Sequence, residues 1–474
     1  MEEDLSGRRR FDYVIGNPPY IGYNECSKQG FPFVKKLQDK NDKSITMGNV
    51  YGVNLNSTPM LHKKNTPKPN LYAFFIALGL ALLKENGKIC YIIPQNVLQN
   101  RDLDVVRYYL SKYTTIEKII TFEGKMFIGR GITQKKPVAT SSLILVVKKS
   151  KAPETHFVKT VHYKPYAEKH AGDFGLYFRG RNKETKRVLQ HILLENIENW
   201  NFIKHDDAYL KLCESYRAGS HSIEEYRKLD LQDYDDVCFD AGYAIDERQL
   251  SSKEDYYIFP AIKKEYFTIK AARGYLPKDK EIKLLRANQG HKLLAMKYKI
   301  LWSYANYDKF HFSDLNLISA RNKIYFIGSN NKNEHLFLFS LLNSYVNRFI
   351  LSSFLGVANE KAILIGLSSI KQYIRIPKIT TGNMQIKDEI IKQTESLLNL
   401  EKPVLQDFVD FPHTSMQTFD YIRAEKEIKS YIDDLVFALY FNVPLTEIGL
   451  EKAPVIRAVC AENEFYGLVS KQIN

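Results

Sequence analysis

The residues best suited to chemistry in this sequence are Asn17, Pro18, Pro19 and Tyr20, which follow the apolar run at 11–15. Pro18 and Pro19 have fixed φ angles and no N–H groups, and they push Asn17 away from helical backbone conformations. The pattern predicts a stiff corner directly after a strand. The Asn17 side-chain carbonyl and the Pro18 backbone carbonyl are two acceptors that can converge on one exocyclic amine.

Such a corner suits methyl transfer to the amino group of a base. Accepting both hydrogens of an adenine N6 amine would draw the nitrogen lone pair out of ring conjugation and direct it at a methyl donor, without a strong general base. Tyr20 offers an aromatic face to a base outside the stack, as enzymes that act on flipped bases require. The alternative is a proline-rich turn that merely ends a buried strand, and the complete tetrapeptide after Phe-Asp-Tyr-Val-Ile favours the chemical interpretation.

These residues resemble the amino-methyltransferases of restriction-modification systems, specifically the adenine-N6 group whose recognition domain follows the catalytic domain, as in TaqI-like enzymes. The resemblance is strong over about 11–148 and looser beyond. It is carried by an Asn-Leu-Tyr segment at 70–72, a strand-like run at 86–94, the segments 122–127 and 140–147, and a closing helical segment at 432–440. The preference for adenine over cytosine rests on this motif order and on the Asn-Pro-Pro-Tyr form.

The resemblance implies roles for particular residues. The turn from Asn17 to Tyr20 would be catalytic, Tyr20 and Phe127 would contact the flipped base, and S-adenosylmethionine would be the methyl donor. For Phe127 the alternative is an ordinary core aromatic residue. Gly129-Arg130-Gly131 lies outside a strand-to-helix junction and is interpreted as a loop rather than a phosphate site.

The cofactor half of the resembled family would have to come from elsewhere. In that family a Gly-rich strand-to-helix turn, and an acidic residue one strand later, hold the donor at the carboxyl ends of the first strands and precede the Asn-Pro-Pro-Tyr turn. Here only residues 1–10 precede the apolar run, and no Gly-rich turn follows a strand downstream. Asn17 and Pro18 would therefore border the donor without forming its main pocket.

Two expectations follow for the isolated chain. It should not methylate DNA usefully alone, and the strand at 11–15 should be a bare apolar sheet edge, which invites pairing with another chain. A companion chain carrying the first strands of the sheet would satisfy both needs. We therefore expect a split methyltransferase, although a truncated product or an internal start within a longer enzyme would give the same sequence.

Composition agrees with a cytoplasmic nucleic-acid protein. The 68 Lys plus Arg and 54 Asp plus Glu give a net charge of +14 and a pI near 9.2. A basic balance favours a polyanion without saying which one, and double-stranded DNA is the partner that the resemblance implies. The most apolar stretch, 71–83, is too short to span a bilayer. The scattered cysteines have no zinc spacing and are interpreted as reduced thiols, so no metal site is expected. They are Cys26, Cys90, Cys213, Cys238 and Cys460.

The predicted fold class is α/β, with three domains. Residues 1–150 alternate apolar strands and amphipathic helices, which predicts a mostly parallel, partial Rossmann-like methyltransferase sheet made of the later strands only. One of these helices is expected from Tyr72 onward, and Asn86-Gly87 is expected to stop it. Residues 151–382 contain short aromatic-rich strands at 282–288, 299–304 and 321–327 and a helix at 336–351. They resemble an α+β, TaqI-like target-recognition domain. Residues 383–474 are predicted to be a helical C-terminal region.

The resemblance to a target-recognition domain also suggests DNA contacts. Basic side chains in 151–382 would meet phosphates or base edges, while the alternative for each is a solvated surface position. The candidates are Lys263, Lys264, Arg286, Lys292, Arg321 and Lys323.

Two other function classes remain open. The first is a catalytically inactive DNA-binding specificity subunit whose methyltransferase part is a remnant. The second is a restriction nuclease, for which Glu281-Ile282-Lys283 and the similar triplet at 427–429 are fragments of the metal-nuclease pattern. Neither triplet has a suitably placed Pro-Asp partner, so both are interpreted as surface features.

Overall fold

A computed structural model describes residues 10–28, 69–122, 141–163, 183–205, 207–226, 250–253, 255–261, 267–269, 271–278, 294–303, 309–318, 324–355, 365–401, 415–445, 450 and 453–470. The chain divides into two compact units, 1–206 with 357–360 (unit 1) and 207–356 with 361–474 (unit 2). The boundary between the two units does not coincide with the boundaries of the predicted domains 1–150, 151–382 and 383–474. The assignment of functions to those three domains remains a prediction.

Unit 1 is a six-stranded sheet with helices. Its strands are β1 (Phe11–Gly16), β2 (Leu83–Pro94), β3 (Thr115–Phe122), β4 (Ser142–Lys148), β5 (Phe157–Tyr163) and β6 (Lys183–Leu189). Its helices are α1 (Tyr23–Lys28), α2 (Leu71–Leu82), α3 (Asp104–Tyr113) and α4 (Gln190–Glu195), with 3-10 turns at Gln95–Leu98, Arg101–Leu103 and Asn201–Lys204. The strand order is β1-β2-β4-β3-β5-β6.

The sheet is mixed, so the expectation of a mostly parallel sheet is wrong. β1 pairs with β2 and β3 with β5 in parallel, whereas the β2–β4, β4–β3 and β5–β6 pairs are antiparallel. Two strands cause this: β4 enters between β2 and β3 in the opposite direction, and β6 runs antiparallel to β5. As a result, the carboxyl ends of β1, β2, β3 and β5 meet at one edge of the sheet together with the first residue of β4.

The core of unit 1 lies on one face of the sheet. Ile89, Tyr91 and Ile93 alternate along β2 and are buried against α2, in the same apolar cluster as residues of α1, α3 and α4. α2 approaches the sheet closely at Gly79, where an added Cβ would lie 2.6 Å from Tyr91 Oη and 3.1 Å from Ile89 Cδ1. A glycine at this position permits the helix to pack directly on β2.

The predicted helix from 72 onward is confirmed, but its end is not where the sequence suggested. Asn86-Gly87 was expected to stop the helix, whereas α2 ends at Leu82 and β2 begins at Leu83. Asn86 instead adopts φ 67° in an irregular part of β2, where the β1–β2 register shifts. Asparagine tolerates this left-handed conformation better than most residues do. Asn86-Gly87 therefore forms a bulge in β2 instead of ending a helix.

Unit 2 combines small sheets with longer helices. Its strands are β7 (Ser220–Ser222), β8 (Tyr257–Ala261), β9 (Ala271–Leu276), β10 (Tyr298–Ser303), β11 (His311–Ser313), β12 (Ile324–Ser329) and β13 (Arg375–Pro377). Its helices are α5 (Asp207–Ala218), α6 (Ile223–Tyr226), α7 (Lys332–Asn343), α8 (Tyr345–Leu355), α9 (Leu367–Tyr373), α10 (Met384–Glu401), α11 (Ser415–Phe441), α12 (Ala453–Glu462) and α13 (Tyr466–Ser470). The strands form the antiparallel sheets β11-β10-β12, β8-β9 and β13-β7.

The predicted strands at 299–304 and 321–327 correspond to β10 and β12, and the predicted strand at 282–288 lies outside the described residues. The single helix predicted at 336–351 is two helices, α7 and α8, separated at Ser344. The Ser344 hydroxyl accepts a hydrogen bond from Asn347 N, and the Asp433 carboxylate accepts one from Tyr345 N at 3.1 Å. These bonds cap a new helix within a continuous apolar pattern.

A lysine is buried in the core of unit 2. Lys299 is 1% exposed, and its ammonium group donates hydrogen bonds to Met296 O at 2.6 Å and to Leu315 O at 3.4 Å. Burial lowers the pKa of Lys299 from 10.5 to about 8. Keeping Lys299 charged therefore costs free energy in the folded state, whereas in the unfolded chain the ammonium group is solvated and has no such cost.

The described cysteines Cys26, Cys90, Cys213 and Cys460 are free thiols, and Cys238 lies outside the described residues. Within the described ranges, every helix is too short or too polar to cross a membrane.

The contact at Gly79 gives a stability prediction for unit 1. Gly79→Ala should lower the free energy of unfolding by about 1–2 kcal/mol, because the clash with Tyr91 outweighs the helix preference of alanine. Trp200, one of the two tryptophans of the chain and buried in unit 1, reports this transition in a Trp302→Phe background. The loss should shrink when Tyr91→Phe removes the hydroxyl, and stabilisation by Gly79→Ala would contradict the packing described.

Lys299 gives a pH prediction for unit 2. Because its folded pKa lies below the unfolded value, the destabilisation is present in full below pH 8 and disappears as pH rises through 10.5. The free energy of unfolding of unit 2 should gain about 3 kcal/mol over this range from Lys299 alone. Urea unfolding followed at Trp302 in a Trp200→Phe background measures it. Lys299→Met should flatten the rise, and an unchanged slope in that variant would contradict the assignment.

Candidate active site

The Asn-Pro-Pro-Tyr turn lies at the carboxyl edge of the unit 1 sheet, directly after β1. Asn17 is exposed, Pro18 is buried, Pro19 is exposed and Tyr20 is half-buried. The backbone carbonyl of Ile21 accepts a hydrogen bond from Leu71 N at 3.0 Å, which ties the turn to the start of α2. The turn thus presents one polar side chain to solvent while its base is anchored.

Tyr20 is oriented by the first residue of β4. Its hydroxyl donates a hydrogen bond to Ser142 Oγ at 3.0 Å, and Ser142 is fully buried. Burial raises the pKa of Tyr20, and the bond to Ser142 opposes that shift in part. The phenol therefore stays protonated at neutral pH and acts as a donor that fixes the ring, not as a base.

Ser142 is itself held by Gln95, the first residue after β2. The buried Gln95 amide donates to Phe122 O at 2.6 Å and to Ser142 O at 2.8 Å, and Gln95 N donates to Ser141 O at 2.8 Å. One side chain thereby joins the ends of β2, β3 and β4. The position of the Tyr20 ring depends on this junction through Ser142.

A second set of bonds fixes the segment that follows Gln95. Tyr72 is fully buried, and its hydroxyl donates to Asn96 Oδ1 at 2.5 Å. Burial raises the pKa of Tyr72, so this group also remains a neutral donor. The buried Arg107 guanidinium donates to four backbone carbonyls, two of them, Val97 O at 2.6 Å and Asn100 O at 3.0 Å, in the same segment.

Sequence reasoning named Tyr20 and the 70–72 segment but missed Gln95, Ser142 and Arg107 as supporting residues. Arg107 carried a signal, because it lies four residues after Leu103 and three before Leu110, on the apolar stripe of α3. A charged residue at such a position needs buried partners. Gln95 and Ser142 carried no comparable signal, since their bonds depend on which strands become neighbours.

Several predicted site residues lie outside the described residues. They include the base-contact candidate Phe127, and their proposed roles stay predictions. The other residues in this group are Lys263, Lys264, Arg286, Lys292, Arg321 and Lys323.

The arrangement fits an exocyclic amine better than it fits a whole cofactor. The exposed Asn17 supplies an acceptor three residues before Tyr20, at the sheet edge where α/β proteins bind ligands. A methyl donor approaching this edge could be bordered by Asn17 and Pro18. In the described connection from β1 to α1, Gly16 and Gly22 flank the proline pair and do not form a phosphate-type loop, so the residues fit the border of a donor site only.

The junction at Gln95 can be tested against a matched glutamine at the opposite edge of the sheet. Gln190 is also buried, donates to Ser111 O and Thr114 O, and accepts from Ile116 N. Gln95→Leu and Gln190→Leu should each lower the free energy of unfolding of unit 1 by about 2–4 kcal/mol, because each leaves buried backbone groups unpaired.

Hydrogen exchange then separates the two positions. Amides at 20–22 should exchange faster in Gln95→Leu, whose loss releases Ser142 and Tyr20, and should be unchanged in Gln190→Leu. Equal acceleration in both variants would show that the turn responds to general destabilisation and that Gln95 has no special part in holding it.

The segment that contains the turn is similar in sequence to known restriction-modification methylases. Residues 2–127, which contain the turn, match the family model of the Eco57I restriction-modification methylase. The Type II methyltransferase M.TthHB8I of Thermus thermophilus is 25% identical over 123 residues, which are 26% of this chain and 24% of that protein. The chain thus matches about a quarter of the length of this curated relative.

The fold also resembles a solved restriction-modification enzyme. The Type IIL enzyme MmeI, determined in complex with DNA, aligns with 97% of this chain and 57% of its own length at a TM-score of 0.50 and 14% identity. At that identity the likeness concerns the fold. The segment around the candidate site is therefore similar in sequence to restriction-modification methylases, and the chain as a whole shares the fold of part of one such enzyme.

Proposed function

We propose that this chain is the base-holding and DNA-reading part of a site-specific DNA adenine-N6 methyltransferase of a restriction-modification system. The observation that carries the proposal is the Asn17–Tyr20 turn at the carboxyl edge of the sheet, with Asn17 exposed and Tyr20 held through Ser142. The match of 2–127 to a methylase family supports it. Double-stranded DNA is the proposed substrate and the cytoplasm the proposed location.

The chemistry assigns one task to each residue of the turn. Asn17 Oδ1 and the Pro18 carbonyl accept the two hydrogens of the adenine N6 amine, which turns the nitrogen lone pair away from the ring. Pro19 keeps the corner stiff, and Tyr20 stacks on the flipped base. N6 would form the new bond to the methyl carbon as the carbon–sulfur bond of the donor's sulfonium group breaks; N6 would lose one proton to solvent, and the rest of the donor would leave as a neutral thioether. S-adenosylmethionine is the proposed donor and supplies an electrophilic methyl group when bound.

The main donor pocket is assigned to a companion chain. Asn17 and Pro18 fit the border of the donor, and the free edge of β1 offers a place for further strands. β1 has β2 as its strand neighbour within the described ranges, and Ile15 is 79% exposed there. An apolar strand with a free edge is a template for another strand. The proposal is that the companion adds its strands at this edge and brings the donor to Asn17.

DNA reading is assigned to the basic residues of the 151–382 region, and Phe127 is proposed as a second base contact beside Tyr20. The net charge of +14 supports binding to DNA driven by counterion release. Such binding weakens steeply as the salt concentration rises. The basic residues proposed to contact DNA are Lys263, Lys264, Arg286, Lys292, Arg321 and Lys323.

Methylation in cells tests the catalytic role of Asn17. The chain is expressed with the product of its neighbouring reading frame in a host that lacks adenine methylation, and N6-methyladenine is mapped across the genome by sequencing. Asn17→Ala should reduce methylation by a factor on the order of 10²–10³, because an acceptor acting on the reacting amine is lost.

Asn24, an exposed asparagine on α1 close in sequence to the turn, provides the matched control. Asn24→Ala should methylate like the wild type. Undiminished methylation by Asn17→Ala would remove the proposed role of the turn. Selective, salt-dependent DNA binding with no methylation in any pairing would instead identify a specificity subunit.

A further inference from the structure

The sheet of unit 1 has two unequal faces. The helices α1 to α4 share an apolar cluster with Val14, Ile89 and Tyr91 on one face. The register places Ile15 beside Cys90, Cys90 beside Val146, and Ile144 beside both Ile92 and Ile120. These side chains alternate with the buried set and so point to the other side. We call this side the open face; its partly accessible apolar members are Phe11, Tyr13, Ile15, Cys90, Ile92, Ile120, Ile144 and Val146. Towards β5 the same face is closed, because the buried Phe122 packs with Ile120, Ile144 and Tyr163.

The open face is most accessible along β1. Phe11 is 54% exposed, Tyr13 is 67% exposed and Ile15 is 79% exposed, while the members on the neighbouring strands are half-buried. The β1–β2 pair is parallel, and parallel strands of α/β proteins are normally covered on both faces. A contiguous apolar area of this kind marks an interaction site. Its width from β1 to β3 spans three strand spacings, about 14 Å, which suits a helix of about 10 Å diameter.

Lysines lie at one end of the open face. The register places Lys88 beside Lys148, and Lys118 beside both Val146 and Lys159, so these four side chains share the face with the apolar members. Lys88 pairs with Glu117 at 2.8 Å. Lys118, Lys148 and Lys159 form no ion pair within the part of the chain that the structure describes. The basic end is at the sheet edge opposite the Asn17 turn.

We propose that the open face is a docking surface for an amphipathic helix of a partner polypeptide, with its apolar side on the sheet and acidic residues over Lys118 and Lys148. The free edge of β1 beside it would pair with a strand of the same partner. The proposal specifies the chemistry of the companion chain and rests on that part of the proposed function. Its test involves no methylation, so either proposal can fail alone.

Charge argues against a second copy of this chain as the occupant. Two chains with a net charge of +14 repel each other. An acidic helix satisfies both features of the surface at once, because apolar side chains cover β1 and β2 while carboxylates meet the basic end.

Two labelled synthetic helical peptides of about 18 residues test the surface. They share one apolar side and differ only in carrying Glu or Lys at matched flanking positions. In fluorescence anisotropy with the full chain, the Glu peptide should bind about tenfold more tightly than the Lys peptide. Lys118→Glu/Lys148→Glu should reverse this preference. Lys253→Glu/Lys371→Glu, the same charge change at exposed lysines of unit 2, should leave it unchanged.

Cys90 locates the bound peptide. It lies half-buried on the open face, so the Glu peptide should slow its modification by a thiol reagent, followed at that residue by mass spectrometry. Ile15→Lys should abolish binding and protection. Ile422→Lys, at an isoleucine of unit 2 that is 54% exposed, should retain both.

Three results would overturn the proposal. Equal binding of the two peptides, or no binding of either peptide, would contradict an acidic helix as the occupant of the open face. Slow modification of Cys90 without peptide would show that the chain covers this face itself. Self-association that is lost in Ile15→Lys and kept in Ile422→Lys would identify a second copy as the occupant.

Discussion

The amide of Gln95 is the interaction on which the candidate site depends. It joins β3 and β4 through two backbone carbonyls, and its own backbone N–H bonds to the residue before β4. This junction is possible only because β4 enters the sheet in the opposite direction, which places its first residue among the carboxyl ends of its neighbours. Ser142 then reaches Tyr20. The stiffness of the turn is local, since prolines provide it, but the orientation of its aromatic ring is a property of the whole sheet.

The local chemistry of unit 1 could be predicted from the sequence, and the strand order could not. A proline pair restricts its own backbone, so the corner after β1 follows from four residues. α2, α3 and the strands at 115–122 and 142–148 follow from apolar periodicity. The direction of β4 is invisible to periodicity, because a continuous apolar run reads the same in either direction. Gln95 and Ser142 could not be recognised as partners for that reason.

In unit 2 the missed feature is a helix break. The apolar pattern across 336–351 is continuous, and Ser344 alone is a weak signal against it. The break is stabilised by Asp433, which is distant in sequence and bonds to the first N–H of α8. Burial raises the pKa of Asp433, while Lys429 opposes the shift as a charged partner on the same helix. A cap supplied from another helix cannot be read from the segment that it caps.

The unequal faces of the unit 1 sheet have a consequence for the life of the protein in the cell. A sheet with an accessible apolar strand gains stability from any partner that binds its folded form, by an amount that grows with the logarithm of partner concentration. Without that partner, β1 exposes large apolar side chains, and an edge that is unpaired within the described ranges, to other unfolded or half-folded chains. With the proposed companion chain as that partner, the amount of usable protein would be set by the ratio of two gene products rather than by the expression of one. Overproduction of this chain alone would lead to aggregation and proteolysis.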